Sequence, residues 1–432
     1  MAPHEIESVT PAYVLFVARI FADLTPLKVS APYRRIWVAL GVSNIGQQMA
    51  SVAVGLQIWE LTNSSLMVGL VGLAQLIPLV GFGLYGGSLS DTFDRRTVGL
   101  ITAVGMWFTS ILLLTQAFLD FESVGFLYLV VAIQSAFFAV GNPARHAIIP
   151  RIVPAELLPA ANALGIITWN LGFTLGPLIG GFLIATTGAI TAPYLFDVVA
   201  FMAVAYAMYR LPKLPPTKSA DASRGWKSVK EGFEFMRGKI NLQMTFYQDL
   251  VAMVFGMPRA LFPAIAALWF GGSTQDIAFT LGLLAAAPAL GGLISGIFSG
   301  PLGNVRWQGR AIVGSIIVWG AAITAFGFSR TLIISLVLLA VAGAADNVSA
   351  IFRMTILQAA TPDEFRGRLQ GVHTVVVAGG PRLGDVEAGV VASIGGEALS
   401  VISGGLVCIG LSVGLAAKFR GFLRYDAQHP IP

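Results

Sequence analysis

Apolar residues fall into twelve spans arranged as two sets of six, with a basic stretch between the sets. The first six cover roughly residues 36–58, 66–86, 98–118, 124–142, 158–185 and 190–210. The second six cover roughly 242–270, 277–299, 310–328, 331–352, 368–394 and 397–418. A helix needs about 20 apolar residues to cross a hydrocarbon core of about 30 Å, and a barrel strand only about half as many. Lipid offers loose backbone groups no partner, so spans this long are helices. The pattern predicts an all-α polytopic membrane protein with twelve transmembrane helices in two six-helix, pseudo-symmetric halves. Such repeats are built to alternate access around a midplane site. The implied boundaries are an N-terminal segment 1–35, a bundle 36–210, a central loop 211–241, a second bundle 242–418 and a tail 419–432.

The polar positions refine this picture. In the central loop, Leu211-Pro-Lys-Leu-Pro-Pro216 stops the sixth helix. Further on, Trp226, Val229, Phe233 and Met236 recur at helical spacing opposite Lys227, Lys230 and Arg237. That pattern predicts an amphipathic helix on the membrane surface, a linker between the halves or a regulatory element. Residues 1–35 read as a short surface helix or a tail, without the small-residue site of a cleavable signal. Nine residues separate Arg145 from Pro154 after span 4, and Arg353 from Pro362 after span 10, a repeat with a register of 208 residues.

Composition agrees: 56% of residues are hydrophobic and 11% charged, against about 25% charged in soluble domains. Arginine and lysine gather in one set of loops, at Arg95, Arg96, Arg145, Arg151, Arg306, Arg310, Arg366 and Arg368 and throughout the central loop. The opposite loops hold Arg330 with Asp120, Glu122, Asp276 and Glu397. The asymmetry predicts a multi-pass protein of the cell membrane with both termini cytoplasmic. The net charge of +5 then reports topology and contact with anionic lipid, not nucleic-acid binding. Cys408 is the single cysteine, so no internal disulfide forms, and it reads as a small packing residue. No nucleophile–base set, phosphate loop or metal-ligand spacing appears, so the reading is not an enzyme, and neither metal nor cofactor is expected.

Ionisable residues inside the spans cost about 2.5–3.5 kcal/mol each and default to functional candidates. They are Asp197 in span 6, Asp249 and Arg259 in span 7, Asp346 in span 10, and Arg382, Asp385 and Glu387 in span 11. Arg382 and Asp385 are three apart and can pair on one helix face. Arg259, nearly central in its span, faces a wet cavity or a carboxylate, whereas Asp249 and Asp197 read as lying near membrane edges. A carboxylate of this group can exchange a proton as an arginine approaches and leaves it; the alternative is that the pairs are fixed and structural. Asn44, Gln47, Gln48 and Ser51 form a polar stripe on span 1 that must turn inward, toward solute or toward another helix. Gln134, Trp169 and Asn170 are candidates for the same cavity, whose mix of amides and aromatics suits an amphiphilic organic solute.

Between spans 2 and 3, Gly87-Ser-Leu-Ser-Asp91-Thr-Phe-Asp-Arg95-Arg96 resembles the major facilitator signature G-x-L-a-D-r-x-G-r-[RK], with Thr92 and Asp94 where Arg and Gly are usual. The second-half copy, Gly300-Pro-Leu-Gly-Asn304, has Asn in place of the acid. In span 5, Gly172-Phe-Thr-Leu-Gly176-Pro177-Leu-Ile-Gly180-Gly181 resembles the G-x-x-x-G-P-x-x-G-G element of the superfamily's antiporters. Trp59-Glu-Leu-Thr62, Asn142-Pro-Ala-Arg145, Ile149-Pro-Arg151, Pro159-Ala-Ala-Asn-Ala-Leu164, Gly256-Met-Pro-Arg-Ala-Leu-Phe-Pro263 and Gly380-Pro-Arg-Leu-Gly-Asp385 are similar to the enterobactin-exporter-like and macrolide-efflux branch. The resemblance covers residues 34 to 420. It implies a monomeric secondary transporter that exports a small amphiphilic molecule, siderophore-like or drug-like, with the proton gradient as energy source. It further implies a gating latch at Gly87, Asp91, Arg95 and Arg96, and close helix packing at Gly172, Gly176, Pro177, Gly180 and Gly181. Uptake or facilitated diffusion, lipid movement, and a transport-inactive receptor are the alternatives.

Overall fold

In a computed structural model of the chain, residues 23–215 and 226–429 are described, without the side chains of 84–91, 226–229 and several positions in 363–374. The long helices are α1 (Ala31–Thr62), α2 (Ser65–Thr92), α3 (Arg95–Phe118), α4 (Val124–Ile152), α5 (Leu158–Thr187) and α6 (Thr191–Tyr209). In the second half they are α7 (Ile240–Phe270, interrupted), α8 (Thr274–Ile297), α9 (Gln308–Phe328) and α10 (Leu332–Ala359). The closing segment, Asp363–Lys418, is divided at Gly396, whose φ of 82° only glycine adopts freely, into α11 (363–395) and α12 (397–418). Ten helices among the described residues are long and apolar enough to cross a membrane, with α11 and α12 joined in that count. The count omits α1, whose stripe of Asn44, Gln47 and Gln48 dilutes its hydropathy.

Local chemistry sets the ends. Ser30, Asp94, Ser123 and Ser273 accept hydrogen bonds from the first-turn amides of α1, α3, α4 and α8, and Ser273 forms a reciprocal capping box with Asp276. Left-handed residues, Asn63 (φ 47°) and Gly188 (φ 66°), close α1 and α5. Two helices are longer than the apolar pattern predicts. α4 continues through Pro143 and Pro150 to Ile152, and α10 continues to Ala359, so Arg145, Arg151 and Arg353 are helical rather than in loops. Proline stops helices in water, but packed neighbours and local adjustment re-satisfy the freed carbonyls in a bundle. In the opposite sense α7 breaks, because Pro258 lacks an N–H and Gly256 turns its carbonyl to the Trp319 indole at 2.9 Å.

Within the first half α1 packs on α5 and α6, α2 on α4, and α3 on α4 and α6; in the second half α8 and α9 pack on α10. The halves meet where α5 packs on α8 and α2 packs on the 363–418 segment. At the end where α1 finishes and α2 begins, one apolar core runs through both halves, joining Val54, Ile58, Leu127, Ile184 and Tyr194 to Leu261, Ala278 and Leu281. At the other end each half has a core of its own, around Ile36, Met106, Phe201 and Met208 in the first and Leu242, Phe246, Leu357 and Val372 in the second. Among the described residues the bundle is therefore closed at one end and parted at the other. α5 records the change: Gly176, Pro177, Gly180 and Gly181 are buried, whereas Ile166, Trp169, Leu171 and Phe173 are exposed.

Chain segments that follow the sixth helix of each half fold back onto that half. Leu211 and Leu214 join the first-half core, and the Leu214 amide donates to Asp94 Oδ2 at 3.1 Å. At the C-terminus, Asp426 accepts from Arg306 Nε and Nη2 at 3.0 and 2.7 Å, tying the tail to the α8–α9 turn. The helix Trp226–Met236 docks on the second half by Met236 and by Phe235, which stacks on Phe365 at 4.0 Å, while Phe233 is exposed. Residues 1–22 of the N-terminal segment, Lys218, Arg224 and the side chains of Trp226 and Val229 lie outside the described residues.

Candidate functional site

Two charged clusters occupy the second half, each with three members. In the first, Arg353 on α10 meets Asp249 on α7 at 2.7 Å and Asp346, two turns away on α10, at 3.6 Å, and donates to Ser349 Oγ at 2.8 Å. The side chains of Arg353 and Asp249 are 6% and 4% exposed and that of Asp346 is 32% exposed. Asp249 is thus packed in the interior of the second half. Two carboxylates sharing one guanidinium leave a surplus acid, and the exposed one is Asp346. Breaking a buried pair leaves an uncompensated charge, so Asp249 and Arg353 hold each other in place.

The second cluster has the opposite balance. Arg259 leaves the α7 break in the turn Arg259–Leu261 and grips Asp385 of α11 with two bonds, Nε–Oδ1 at 2.8 Å and Nη2–Oδ2 at 2.6 Å. This corrects the expected Arg382–Asp385 pair. Spacing along one helix permits that contact, but the planar fork of Arg259, arriving from another helix, matches both carboxylate oxygens. Arg382 instead donates through Nη1 to the Ala378 carbonyl of its own helix, and its buried Nε has no partner. Glu387 is half-buried in a crevice with Phe255, Pro258, Ile323 and Ser400.

In the first half, Asn44, Gln47 and Gln48 are half-buried on α1. The glycines of α5 set how close they come: a Cβ on Gly172 would stand 2.8 Å from that of Asn44, and one on Gly176 2.5 Å from that of Gln48. Gly180 meets Met49 in the same way, while Gly181 turns to the other half, where its Cβ would stand 2.5 Å from the Ala278 carbonyl of α8. Pro177 lies in the same contact, its carbonyl 2.7 Å from a Cβ built on Gly282. Trp169 and Asn170 are exposed on the parted half of α5, Trp169 lying 5.1 Å from the Phe173 ring. Gln134 on α4 is half-buried with an unpartnered Nε2.

Several residues outside the expected solute cavity stand out. Asp197 on α6 is 1% exposed, accepts from Ser110 Oγ at 2.5 Å and leaves Oδ1 unpartnered against Gly46. It is packed inside the first half, and being the single carboxylate in the first-half spans was the available signal. Gln57 and Gln116 exchange amide bonds at 3.0 and 3.1 Å, and Tyr194 donates to Gln57 Oε1. Arg145, the repeat partner of Arg353, lies 5.6 Å from the Phe138 ring centre. Across the closed end, Ser65 Oγ donates to Glu397 Oε1 at 2.7 Å, and a Cβ on Gly72 would stand 2.5 Å from the Arg382 carbonyl and 2.8 Å from Asp385 Cβ.

At the signature between α2 and α3, the side chain of Asp91, like the rest of 84–91 with Gly87, is outside the described residues. Arg95 Nη1 donates to the Ala147 carbonyl at 3.2 Å and Arg96 Nη2 to the Tyr209 carbonyl at 2.6 Å. Asp94, the departure from the usual Gly, caps α3 through the Arg96 amide and holds Leu214 with its other oxygen.

A profile of the transmembrane secretion effector family, a major facilitator family, matches residues 21–428. The enterobactin exporter EntS of Citrobacter koseri is 29% identical over 414 residues, covering 94% of this chain and 96% of that protein. EntS of Shigella boydii is 31% identical over 366 residues, covering 84% and 85%. Among solved structures, the nucleoside transporter NupG aligns with a TM-score of 0.69 at 15% identity, over 92% of this chain and 100% of that one. A bacterial homologue of the iron transporter ferroportin in an inward-facing state aligns with a TM-score of 0.65 at 16% identity, over 91% and 98%. At these identities the solved structures show a shared fold and nothing more.

Proposed function

The chain belongs to the transmembrane secretion effector family of major facilitator transporters, and on that premise we propose that it exports a small amphiphilic organic molecule, siderophore-like or drug-like, in exchange for protons. One observation carries the reading: a bundle closed at one end and parted at the other, with a surplus carboxylate, Asp346, half-exposed beside an arginine it shares. The arginine-rich loops belong to the parted end, so by the charge rule that end faces the cytoplasm and receives solute from inside the cell. The names of the enterobactin exporters support export and a siderophore-like solute.

The mechanism follows from the charges and glycines. Asp249 neutralises Arg353; Asp346 is neutralised by a proton, or by Arg353 when that side chain swings from Asp249 toward its own helix. Solute entering among Asn44, Gln47, Gln48 and Trp169 favours parting of the α5–α8 and α2–α11 contacts and closure of the other end. The glycines make both closed-end contacts close yet free of side-chain interlock, which suits surfaces that part and meet again.

The test is reconstitution in liposomes with an imposed pH gradient, following a catechol siderophore and a fluorescent hydrophobic cation. Gradient-driven movement in the wild type, lost in Asp346→Asn with folding intact, is the expected result. Movement indifferent to the gradient assigns a facilitator. Movement of neither solute under any gradient overturns the export reading.

A further inference from the structure

The Arg259–Asp385–Arg382 cluster carries one positive charge more than it neutralises. Both arginines stay protonated under all physiological conditions, and one carboxylate is present, fully engaged by Arg259. Arg259 and Asp385 are both near enough to Arg382 to act on it electrostatically. The cluster sits between the halves, since the Arg259–Leu261 turn packs against α2 as well as α11 and the Arg259 side chain is 39% exposed even while paired. Gly72 of α2 closes over the backbone at Arg382 and Asp385. The Arg382 side chain runs from that contact back to Ala378, one turn toward the parted end. Its guanidinium therefore lies just beneath the closed contact, with one N–H used on its own helix and its Nε unpartnered. An arginine held this way, beside a second cation, is a poor structural element and a good receptor for an oxyanion.

We propose that Arg382 is the specificity-determining residue of the cavity, and that the transported solute presents to it an anionic oxygen, a carboxylate or an ionised phenol. This rests on the transport reading and narrows it to acidic amphiphiles. The anion supplies the charge the cluster lacks, at the place where Gly72 and the α11 backbone must part for the far end to open. Solute binding and opening are thereby joined at one residue, while Asp346, in the other cluster, takes no part in recognition.

The test is equilibrium binding to the purified full-length protein with a matched pair, N-dansyl-phenylalanine and its methyl ester, together with unfolding temperatures of the ligand-free protein. The wild type should bind the acid about tenfold or more tightly than the ester, the share a charge-assisted hydrogen-bond pair contributes. Arg382→Gln should erase that preference, weakening acid binding about tenfold or more and ester binding far less, and Arg382→Lys should keep part of it. Without ligand, Arg382→Gln should unfold at the same or a higher temperature than the wild type, because it removes an uncompensated charge. Equal binding of acid and ester by the wild type overturns the proposal, as does a preference that survives in Arg382→Gln. Where neither probe binds, the unfolding temperature decides, and a lower one for Arg382→Gln assigns the residue a structural role. Gradient-driven flux is measured separately: flux without acid preference sinks this proposal alone, and acid preference without flux sinks the export reading alone.

Discussion

Asp249 and Asp346 share Arg353, yet they differ in what their loss would do. Asp249 is the closer and more deeply buried partner, so Asp249→Ala leaves the interior arginine with only its longer contact to Asp346 and should lower stability by up to about 3 kcal/mol, the low end for a broken buried pair. Asp346→Asn removes the surplus charge at a side chain still 32% exposed and should change stability by less than about 1 kcal/mol. Unfolding temperatures of the two variants in one detergent check the contrast. The order should reverse in transport, with Asp346→Asn still folded but unresponsive to the pH gradient. Equal destabilisation by both would mean that the triad is a structural unit and that the proton is carried elsewhere, with the buried Asp197 carboxyl next in line.

Helices and turns explain which parts of this arrangement were legible in the sequence. Lipid makes length and apolarity decisive, so the spans could be read from composition, and the caps at Ser273 and Asp94 come from local hydrogen bonds that short motifs encode. Contacts between helices are another matter. The Arg382–Asp385 spacing is visible on one helix, but the winning partner, Arg259, reaches Asp385 only because α7 breaks at Pro258 and turns its guanidinium toward α11. Likewise the glycines of α5 announce close packing, whereas the division of labour, Gly172, Gly176 and Gly180 toward α1 and Gly181 toward α8, needs the assembled bundle. That division predicts a graded result. Gly181→Leu should disfavour the closed α5–α8 contact by about 1–3 kcal/mol or more and cut transport, while Gly165→Leu, in open space on the same helix, should be tolerated. Flux of both variants, normalised to folded protein, tests it; equal losses would make α5 uniformly intolerant and void the argument. The docked tail gives a pH signature. Hydrogen bonds from Arg306 and the Gln428 amide hold the Asp426 carboxyl down to about 2, below its ordinary 3.8. A lowered folded value means the stabilisation is fully present above the ordinary one and fades as pH falls toward 2. Pepsin should therefore cut after Phe422 progressively faster from pH 4 to 2 in the wild type, and throughout that range in Asp426→Asn.

At the scale of the whole molecule, the asymmetry between the halves matters more than their likeness. The 208-residue register pairs Arg145 with Arg353, and each half's α2–α3 or α8–α9 turn is clasped by the segment that follows its last helix. Among the described residues, however, it is the second half that surrounds its arginine with acids and adds a second cluster. The first half offers amides, aromatics and glycines, so solute is met from both bodies, by these groups and by Arg382, while the proposed proton carrier Asp346 lies in the second, and the two bodies must move relative to each other. They meet in the closed end, where Ser65 of α2 reaches Glu397 at the start of α12 and Gly69 and Gly72 lie against α11. If that end opens during transport, joining it should stop the cycle without disturbing either half. In a Cys408→Ala background, Ser65→Cys with Glu397→Cys bridged by a short methanethiosulfonate cross-linker should abolish flux, and reduction should restore it. Solute binding from the parted end should persist in the bridged protein, because the cavity floor at Arg382 is already formed in this state. Unchanged flux after complete cross-linking would show that the two halves never separate there, and the alternating-access reading would have to give way to a fixed path.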